Sequence, residues 1–175
     1  MAPGLFSTLK KMINGSLKEE TAKSREADGI CSPAAGRIIR LSEVPDEVFS
    51  GGVLGKGAAV IPEEGSFYAP ADAIVASIAP SRHAIGLRTE SGIEILLHVG
   101  IDTVELDGRP FACHVREGDR VKKGDLLLTA DLAMITEHGY RTDTPVLVTN
   151  SDEYESVDIV KTGSVAAGEL IMTAR

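Results

Sequence analysis

Two runs of alternating apolar and polar residues, separated by a short turn, constrain the fold most. They span residues 85–95, with Ser91 and Gly92 between them. Alternation at a period of two is typical of β-strands, and a Ser-Gly pair is typical of a hairpin turn. The second run continues to His98, and His83 stands just before the first. The sequence therefore predicts a β-hairpin with a histidine near the open end of each strand.

The register of this hairpin decides whether the two imidazoles meet. With the Ser-Gly pair at the centre of a two-residue turn, His83 pairs with Gly100 and His98 lies diagonally opposite His83. Diagonal neighbours on one face are about 7–8 Å apart. A slip of one residue would place the two rings on opposite faces. We therefore expect a histidine pair on one face of the hairpin.

Composition and internal repeats favour a single all-β domain. The chain has 175 residues, of which 43% are hydrophobic, so it can bury a sizeable core. Residues 32–38 resemble 69–75, and 118–130 resemble 163–174, as strand-turn-strand units. Residues 131–139 predict a short helix with an aspartate cap and a terminal glycine. We expect an antiparallel β-sandwich of related hairpins with one or two short helices.

Charge and cysteine content narrow the choice of partner and compartment. A net charge of −8 argues against nucleic acid and favours partners with a basic face. Cys31 and Cys113 have neither the number nor the spacing of a disulfide framework, which indicates a cytoplasmic location. The apolar runs are far shorter than the roughly 20 residues that span a bilayer.

The first 29 residues differ in composition from the rest. Apolar residues recur at helical spacing over 4–13 beside lysines, as in a helix that rests on an anionic membrane surface. The polar stretch that follows predicts a linker. We expect residues 1–29 to form an amphipathic leader and linker, with peripheral contact at the inner face of the cell membrane, and 30–175 to form the domain. The alternative is a solvated tail.

The histidine pair admits several chemical interpretations. A single strand histidine is more often structural than catalytic, whereas two on one face can hold a metal, an anion or a phosphoryl group. For phosphoryl transfer, a neutral imidazole nitrogen is the nucleophile and the second imidazole is a hydrogen-bond donor. Ser81 could orient His83 from the same strand face. Ser81, His83 and His98 are thus the predicted reactive group.

Zinc is the competing interpretation of the pair. Catalytic zinc normally has three protein ligands, and His83 and His98 supply two. Asp102 and Asp46 offer carboxylates, but nothing in the sequence places them beside the imidazoles. We expect no required cofactor, and expect zinc only where a partner protein adds a third ligand at an interface.

Several motifs, in order, resemble the glucose-type enzyme IIA of the bacterial phosphoenolpyruvate-dependent sugar phosphotransferase system. They are Ser32-Pro-Ala-Ala-Gly36, Val44-Pro-Asp-Glu-Val-Phe49, Ala69-Pro-Ala-Asp72, Ser81-Arg-His-Ala84, Gly92 through Val104, Val121-Lys-Lys-Gly-Asp125 and Thr144-Pro-Val146. The resemblance covers about residues 30–150. Ser81 stands where threonine is usual, which keeps the hydroxyl.

The resemblance implies a phosphotransferase component with two packed sheets. It implies that His98 accepts a phosphoryl group from the histidine phosphocarrier protein and passes it to a cysteine on the IIB domain of a sugar permease, with His83 in support. It also implies a shallow apolar depression that partner proteins cover. The expected binding surface consists of Phe49, Leu54, Leu96, Asp102 and Val104. The N-terminus resembles the leader of freestanding members, which predicts a separate soluble subunit.

Two other functions remain as alternatives. One is a regulatory module whose choice of metabolic enzymes or transporters is switched by phosphorylation of His98, because added negative charge weakens an apolar contact. The other is a biotin or lipoate carrier, suggested by the repeated Val-Lys-Lys-Gly-Asp pattern, although the expected attachment hairpin is missing. The sugar stays open, since its choice belongs to the permease.

Overall fold

The computed structural model describes residues 27–175. The predicted membrane-contacting segment 4–13 and most of the predicted linker lie outside the described residues. The first strand starts at Asp28 and pairs with the last one, Asp28 opposite Ala174 and Gly29 opposite Thr173. This strand therefore includes Asp28 and Gly29, and the division of the chain between residues 29 and 30 stays a prediction.

Fourteen strands make up most of the regular secondary structure of the described residues. They are β1 (Asp28–Cys31), β2 (Gly36–Arg40), β3 (Lys56–Pro62), β4 (Ser66–Tyr68), β5 (Ala73–Ile78), β6 (Ala84–Arg88), β7 (Glu94–His98), β8 (Phe111–Cys113), β9 (Arg120–Val121), β10 (Leu126–Ala130), β11 (Thr144–Val148), β12 (Val157–Ile159), β13 (Gly163–Val165) and β14 (Leu170–Ala174). The helices are α1 (Glu47–Ser50) and α2 (Leu132–Glu137), with 3-10 turns at Leu41–Glu43, Thr103–Leu106 and Ser151–Glu153.

The strands form three antiparallel sheets. The large sheet has the order β13-β2-β3-β11-β7-β6-β5-β9, and two three-stranded sheets have the orders β1-β14-β12 and β4-β10-β8. Every strand pair is antiparallel. The predicted antiparallel β-sandwich with two short helices is confirmed.

The large sheet is apolar on both faces. Successive residues of a strand point to opposite faces. In β7, Ile95 and Leu97 therefore enter the main core, which also holds Phe67 of β4 and Ile171 of β14. Leu96, between them, enters a second and smaller cluster on the other face. This smaller cluster is the floor on which the histidine site is built.

The repeated units carry the chain from one sheet to another instead of pairing with themselves. The unit at residues 32–38 follows β1 of a small sheet and leads into β2 of the large one, and 69–75 leads in the same way from β4 to β5. The loops of the other repeats bond to them: Ser32 N donates to Glu169 O, and Ala69 N donates to Asp125 O. The prediction of strand-turn-strand units is thus correct, but they are corners of the sandwich and not hairpins.

The predicted helix at residues 131–139 is present. Its N-cap is Asp131, whose carboxylate accepts a hydrogen bond from Met134 N at 3.0 Å. Its end is followed by Gly139 at φ +84°, a left-handed conformation that glycine adopts without steric cost. An aspartate cap and a glycine stop therefore bound this helix as the sequence predicts.

Candidate functional site

His98 ends strand β7 and its side chain is fully buried. Its Nδ1 lies 2.8 Å from the carbonyl oxygen of Gly100, two residues later. Gly100 has φ +79°, and a Cβ there would collide with the methyl group of Thr103 and lie 2.9 Å from Arg141 O. Only glycine fits this tight return of the chain, which aims its carbonyl at the ring.

The hydrogen bond to Gly100 assigns the tautomer of His98. A carbonyl oxygen can only accept, so Nδ1 of a neutral ring must carry the hydrogen. The other nitrogen, Nε2, then holds a free lone pair. Nε2 is buried and has no hydrogen-bond partner among the described residues. The site thus presents an unpaired, nucleophilic nitrogen in an apolar enclosure.

His83 completes the imidazole pair. Its ring is 4.8 Å from that of His98, centroid to centroid, in a T-shaped arrangement with an interplanar angle of 82°. The side chain is buried. Neither ring nitrogen has a hydrogen-bond partner within residues 27–175. The rings of Phe49 and Phe111 flank the pair, at 5.0 Å from His98 and 6.5 Å from His83.

The two rings meet by a different route from the one predicted. In the structure His98 pairs with Ala84, so the register is shifted by one residue, because the hairpin turn has three residues, Glu90 to Gly92, and not two. That shift should place the rings on opposite faces. The rings nevertheless meet, with centroids 4.8 Å apart. His83 lies outside β6 and directly after Arg82 at φ +58°, so the face alternation of a regular strand does not apply to it.

Burial keeps both imidazoles neutral. Desolvation, followed by the proximity of His98, lowers the pKa of His83 from 6.5 to about 3. Desolvation also lowers the pKa of His98 to about 4, although the hydrogen bond to Gly100 opposes this shift. An imidazole that loses its proton this readily keeps its lone pair available at neutral pH.

The structure contains no hydrogen bond between Ser81 and His83. Both ring nitrogens of His83 are without a partner, so the predicted orienting bond is not formed in this conformation. Ser81 belongs to the turn that precedes β6, where Arg82 N donates to Ala79 O. The position of His83 therefore depends on this turn and on the neighbouring rings of His98 and Phe111.

The residues predicted to line the binding surface do cluster, but most are buried. Phe49, Leu54 and Leu96 belong to the smaller apolar cluster, and Val104 packs against it. Only Val104 of these four, with the neighbouring Asp102, is partly exposed. The sequence analysis did not identify Val53, which is 63% exposed next to Leu54. The available signal was an apolar valine in a glycine-rich segment, residues 51–57.

Gly100 and Phe111 were also not predicted as parts of the site. The position of Gly100, two residues after a strand-ending histidine, could have indicated a returning carbonyl. Phe111 lies 28 residues after His83, and only tertiary structure brings it near. His114 and His138 are exposed and lie apart from the pair, with hydrogen bonds to Thr129 and Met134.

The described residues offer no ready metal centre. No group of three or more His, Cys, Asp or Glu side chains between residues 27 and 175 is placed to hold a metal ion. Neither Asp102 nor Asp46 joins the imidazoles, and Asp46 instead caps α1 by accepting from Val48 N. The expected zinc at a partner interface therefore gains no support from the described geometry.

No helix in the described part of the chain is both long and apolar enough to cross a membrane.

The chain is similar in sequence to known proteins of one family. The family described as "phosphoenolpyruvate-dependent sugar phosphotransferase system, EIIA 1" matches residues 28–154. A β-glucoside-specific EIIBCA component of Dickeya chrysanthemi is 47% identical over 153 residues, which cover 87% of this chain and 23% of that protein. A glucose-specific EIICBA component of Streptococcus pneumoniae is 47% identical over 138 residues, 79% of this chain and 19% of that protein.

A solved structure shares the fold. The glucose permease IIA from Mycoplasma capricolum superposes with a TM-score of 0.79 at 35% identity, covering 87% of this chain and 99% of that one. The chain spans less than a quarter of the length of the two multidomain relatives. Because the family match covers most of the chain, the protein belongs to the EIIA 1 family of the phosphoenolpyruvate-dependent sugar phosphotransferase system.

Proposed function

We propose that this chain is a phosphocarrier in which Nε2 of His98 accepts a phosphoryl group and then passes it on. The observation that carries the proposal is the hydrogen bond from Nδ1 to Gly100 O, at 2.8 Å. It leaves a lone pair on Nε2, next to a second neutral imidazole and inside an apolar cluster. Such a site suits transfer between two side chains, which needs positioning more than acid-base chemistry.

The first transfer is an in-line displacement. The Nε2 lone pair attacks phosphorus, and the bond from phosphorus to the donor's histidine nitrogen breaks, returning its electron pair to the donor ring. The His98 ring gains positive charge. Its proton stays on Nδ1, which continues to donate a hydrogen bond to the Gly100 carbonyl. In the second transfer a cysteine thiolate attacks the same phosphorus, and the electron pair of the breaking P–N bond returns to Nε2.

His83 stabilises the transferred group in this proposal. A neutral imidazole always has one N–H, and neither nitrogen of His83 is engaged elsewhere among the described residues. With the rings 4.8 Å apart, that N–H can donate to a phosphoryl oxygen on His98. We propose that Ser81 orients His83 once the site is phosphorylated. Ser81→Ala should then slow transfer, and Ser81→Thr, which keeps the hydroxyl, should not.

The acceptor atom must become accessible before transfer. Nε2 of His98 is buried, and the ring of Phe49 lies 5.0 Å from the imidazole. Phe49 is on the four-residue helix α1, which runs into a loop with Gly52 at φ +72° and Gly55 at φ +128°. In this proposal, binding of a partner displaces this short helix with its loop and uncovers Nε2.

The partners follow from family membership and charge. The multidomain relatives are named as EIIBCA and EIICBA components, which supports a IIB domain as the acceptor. The donor in this proposal is the histidine phosphocarrier protein. Acidic residues lie close in the sequence to Phe49 and His98, namely Asp46, Glu47, Asp102 and Glu105, and would attract a basic face of the donor. The sugar is that of the permease, glucose or a β-glucoside by the names of the relatives. We place the chain in the cytoplasm, at the permease on the inner face of the membrane.

The test is intact-mass analysis after incubation with phosphoenolpyruvate, enzyme I and the histidine phosphocarrier protein. Wild type should gain one acid-labile phosphoryl group, and His98→Ala should gain none. His83→Ala should be phosphorylated but should pass the group to a IIB domain at least tenfold more slowly. His114→Ala is the matched control, since His114 is exposed and outside the pair, and it should behave as wild type.

Phosphorylation that persists in His98→Ala would overturn the proposal. If wild type gains no phosphoryl group but still binds metabolic enzymes, the result would instead favour the regulatory alternative.

A further inference from the structure

Thr103 contacts the loop that holds His98 in two places. Its hydroxyl donates to the carbonyl oxygen of Val99 at 2.6 Å, and its methyl group occupies the space where a Cβ of Gly100 would lie. The side chain is fully buried. Thr103 therefore contacts the two residues that follow His98: its hydroxyl holds Val99 and its methyl group packs against Gly100.

The backbone of this loop would not hold its shape without such support. Gly100 has φ +79° and Asp102 has φ +57°, so two left-handed residues follow within three positions. Left-handed backbone is unfavourable for a non-glycine residue, and glycine is free to leave it. The carbonyl that meets Nδ1 of His98 thus belongs to the most permissive residue in the loop. Its direction depends on what surrounds it.

We propose that Thr103 is a positioning residue for phosphoryl transfer, acting through Val99 and Gly100 to keep the lone pair of His98 on Nε2. The hydroxyl holds the Val99–Gly100 peptide plane, and the methyl group blocks rotation at Gly100. The Gly100 carbonyl then stays on Nδ1 and selects one tautomer. This inference rests on the proposed function of His98, but its direct consequence is a property of the unphosphorylated ring.

The nitrogen shifts of the His98 ring test this directly, by two-bond ¹H–¹⁵N correlation in the free full-length protein. Wild type should show a protonated Nδ1 and an unprotonated Nε2. Thr103→Val keeps the shape but removes the donor, so Val99 O loses its partner and both nitrogens should show shifts averaged between tautomers. Thr103→Ser keeps the hydroxyl and should restore the wild-type pattern. A merely structural threonine would not produce this difference.

Transfer rates provide the second readout. Thr103→Val should accept the phosphoryl group about tenfold more slowly, roughly the effect of one lost hydrogen bond, and Thr103→Ser should stay within about twofold of wild type. The matched control is Thr144→Val, because Thr144 is also buried and donates to a backbone carbonyl, Thr142 O, at 2.9 Å. It should lose stability without changing the His98 shifts.

The outcomes separate this inference from the proposed function. Unchanged His98 shifts and an unchanged rate in Thr103→Val would overturn the positioning role, even if His98 is phosphorylated normally. If Thr103→Val shows averaged shifts but wild type is never phosphorylated, the positioning role is upheld and the proposed function is overturned. If Thr103→Val fails to fold, Thr103→Ala replaces it. Alanine has a smaller side chain and also lacks the hydroxyl, so the same averaged shifts are expected.

Discussion

At the scale of single residues, the site depends on two imidazoles that share one apolar enclosure. His98 uses Nδ1 for the Gly100 carbonyl, and His83 uses neither nitrogen within the described chain. Buried polar atoms without partners cost free energy, since water would otherwise hydrogen-bond them. The fold keeps this unfavourable arrangement next to an unpaired lone pair, which is what an acceptor of a phosphoryl group requires.

Acid should destabilise the fold through these two residues. Their pKa values lie at about 3 and 4 in the folded protein and near 6.5 when unfolded. Between pH 6.5 and 4 the unfolded chain therefore binds protons that the folded chain does not, so the free energy of unfolding falls as the pH falls. Each histidine adds a slope of up to about 1.4 kcal/mol per pH unit.

Urea unfolding at pH 7, 6 and 5 measures this slope. A double variant, His83→Gln with His98→Gln, lacks both titrating groups and should lose less stability between pH 6 and 5. If wild type and the double variant have the same pH dependence, the two imidazoles do not bear the predicted shifts.

The sequence predicted the imidazole pair but not the details of its geometry. It placed His83 and His98 together, with the correct elements, while assigning a two-residue turn where the chain uses three. A Ser-Gly pair fits both turn lengths, so residue type alone could not decide. The left-handed Arg82 that compensates for the shift carries no sequence signal, because arginine seldom adopts that conformation.

At the scale of elements, the β6–β7 hairpin carries the proposed site at one end and a hydrogen-bonded turn at the other. The turn end is held by Asn150, whose amide donates to Gly92 O at 2.9 Å and whose carbonyl accepts from Glu94 N at 3.0 Å. The two histidines lie at the opposite end, where His98 pairs with Ala84 and His83 directly precedes Ala84. We therefore expect the stability and the reactivity of this hairpin to depend on different residues.

Asn150→Ala should separate these two properties. Losing both hydrogen bonds in a part-buried setting should lower the free energy of unfolding by about 1–3 kcal/mol. The rate at which His98 accepts a phosphoryl group at 20 °C should stay within about twofold of wild type. A large loss of rate with an intact fold would show that the turn end controls the histidine site.

Helix α1 should control access to His98. The reagent diethylpyrocarbonate modifies accessible imidazoles, and peptide mapping by mass spectrometry distinguishes the sites. In wild type, exposed His114 and His138 should react much faster than buried His98. Phe49→Ala removes the ring 5.0 Å from His98 and should accelerate its modification by about tenfold or more. Equal rates in wild type would contradict the enclosure.

At the scale of the whole molecule, the four related units form the corners of the sandwich. The pairing of Gly36 with Val165 in β2–β13 is repeated by Ala73 with Val121 in β5–β9. The sequence predicted this repetition because the two units of each pair, 32–38 with 69–75 and 118–130 with 163–174, have similar residues in the same order. It could not predict that the partners come from distant repeats, since pairing between distant strands leaves no local pattern.

The overall charge should govern the encounter with the donor. The chain carries a net charge of −8, and acidic residues lie before Phe49 and after His98. Electrostatic attraction to a basic partner is screened over about 8–10 Å at physiological salt. The second-order rate of phosphoryl transfer should therefore fall at least several-fold between 50 mM and 500 mM salt. A rate that is independent of salt would exclude electrostatic steering.

The identity of the phosphorylated nitrogen tests the central claim most directly. ¹⁵N-labelled protein is phosphorylated through enzyme I and the histidine phosphocarrier protein, and the phosphorus–nitrogen coupling is assigned to one ring atom. The Gly100 hydrogen bond on Nδ1 predicts coupling at Nε2 of His98, with Nδ1 still protonated. Coupling at Nδ1 of His98, or at any nitrogen of another histidine, would contradict this account of the site.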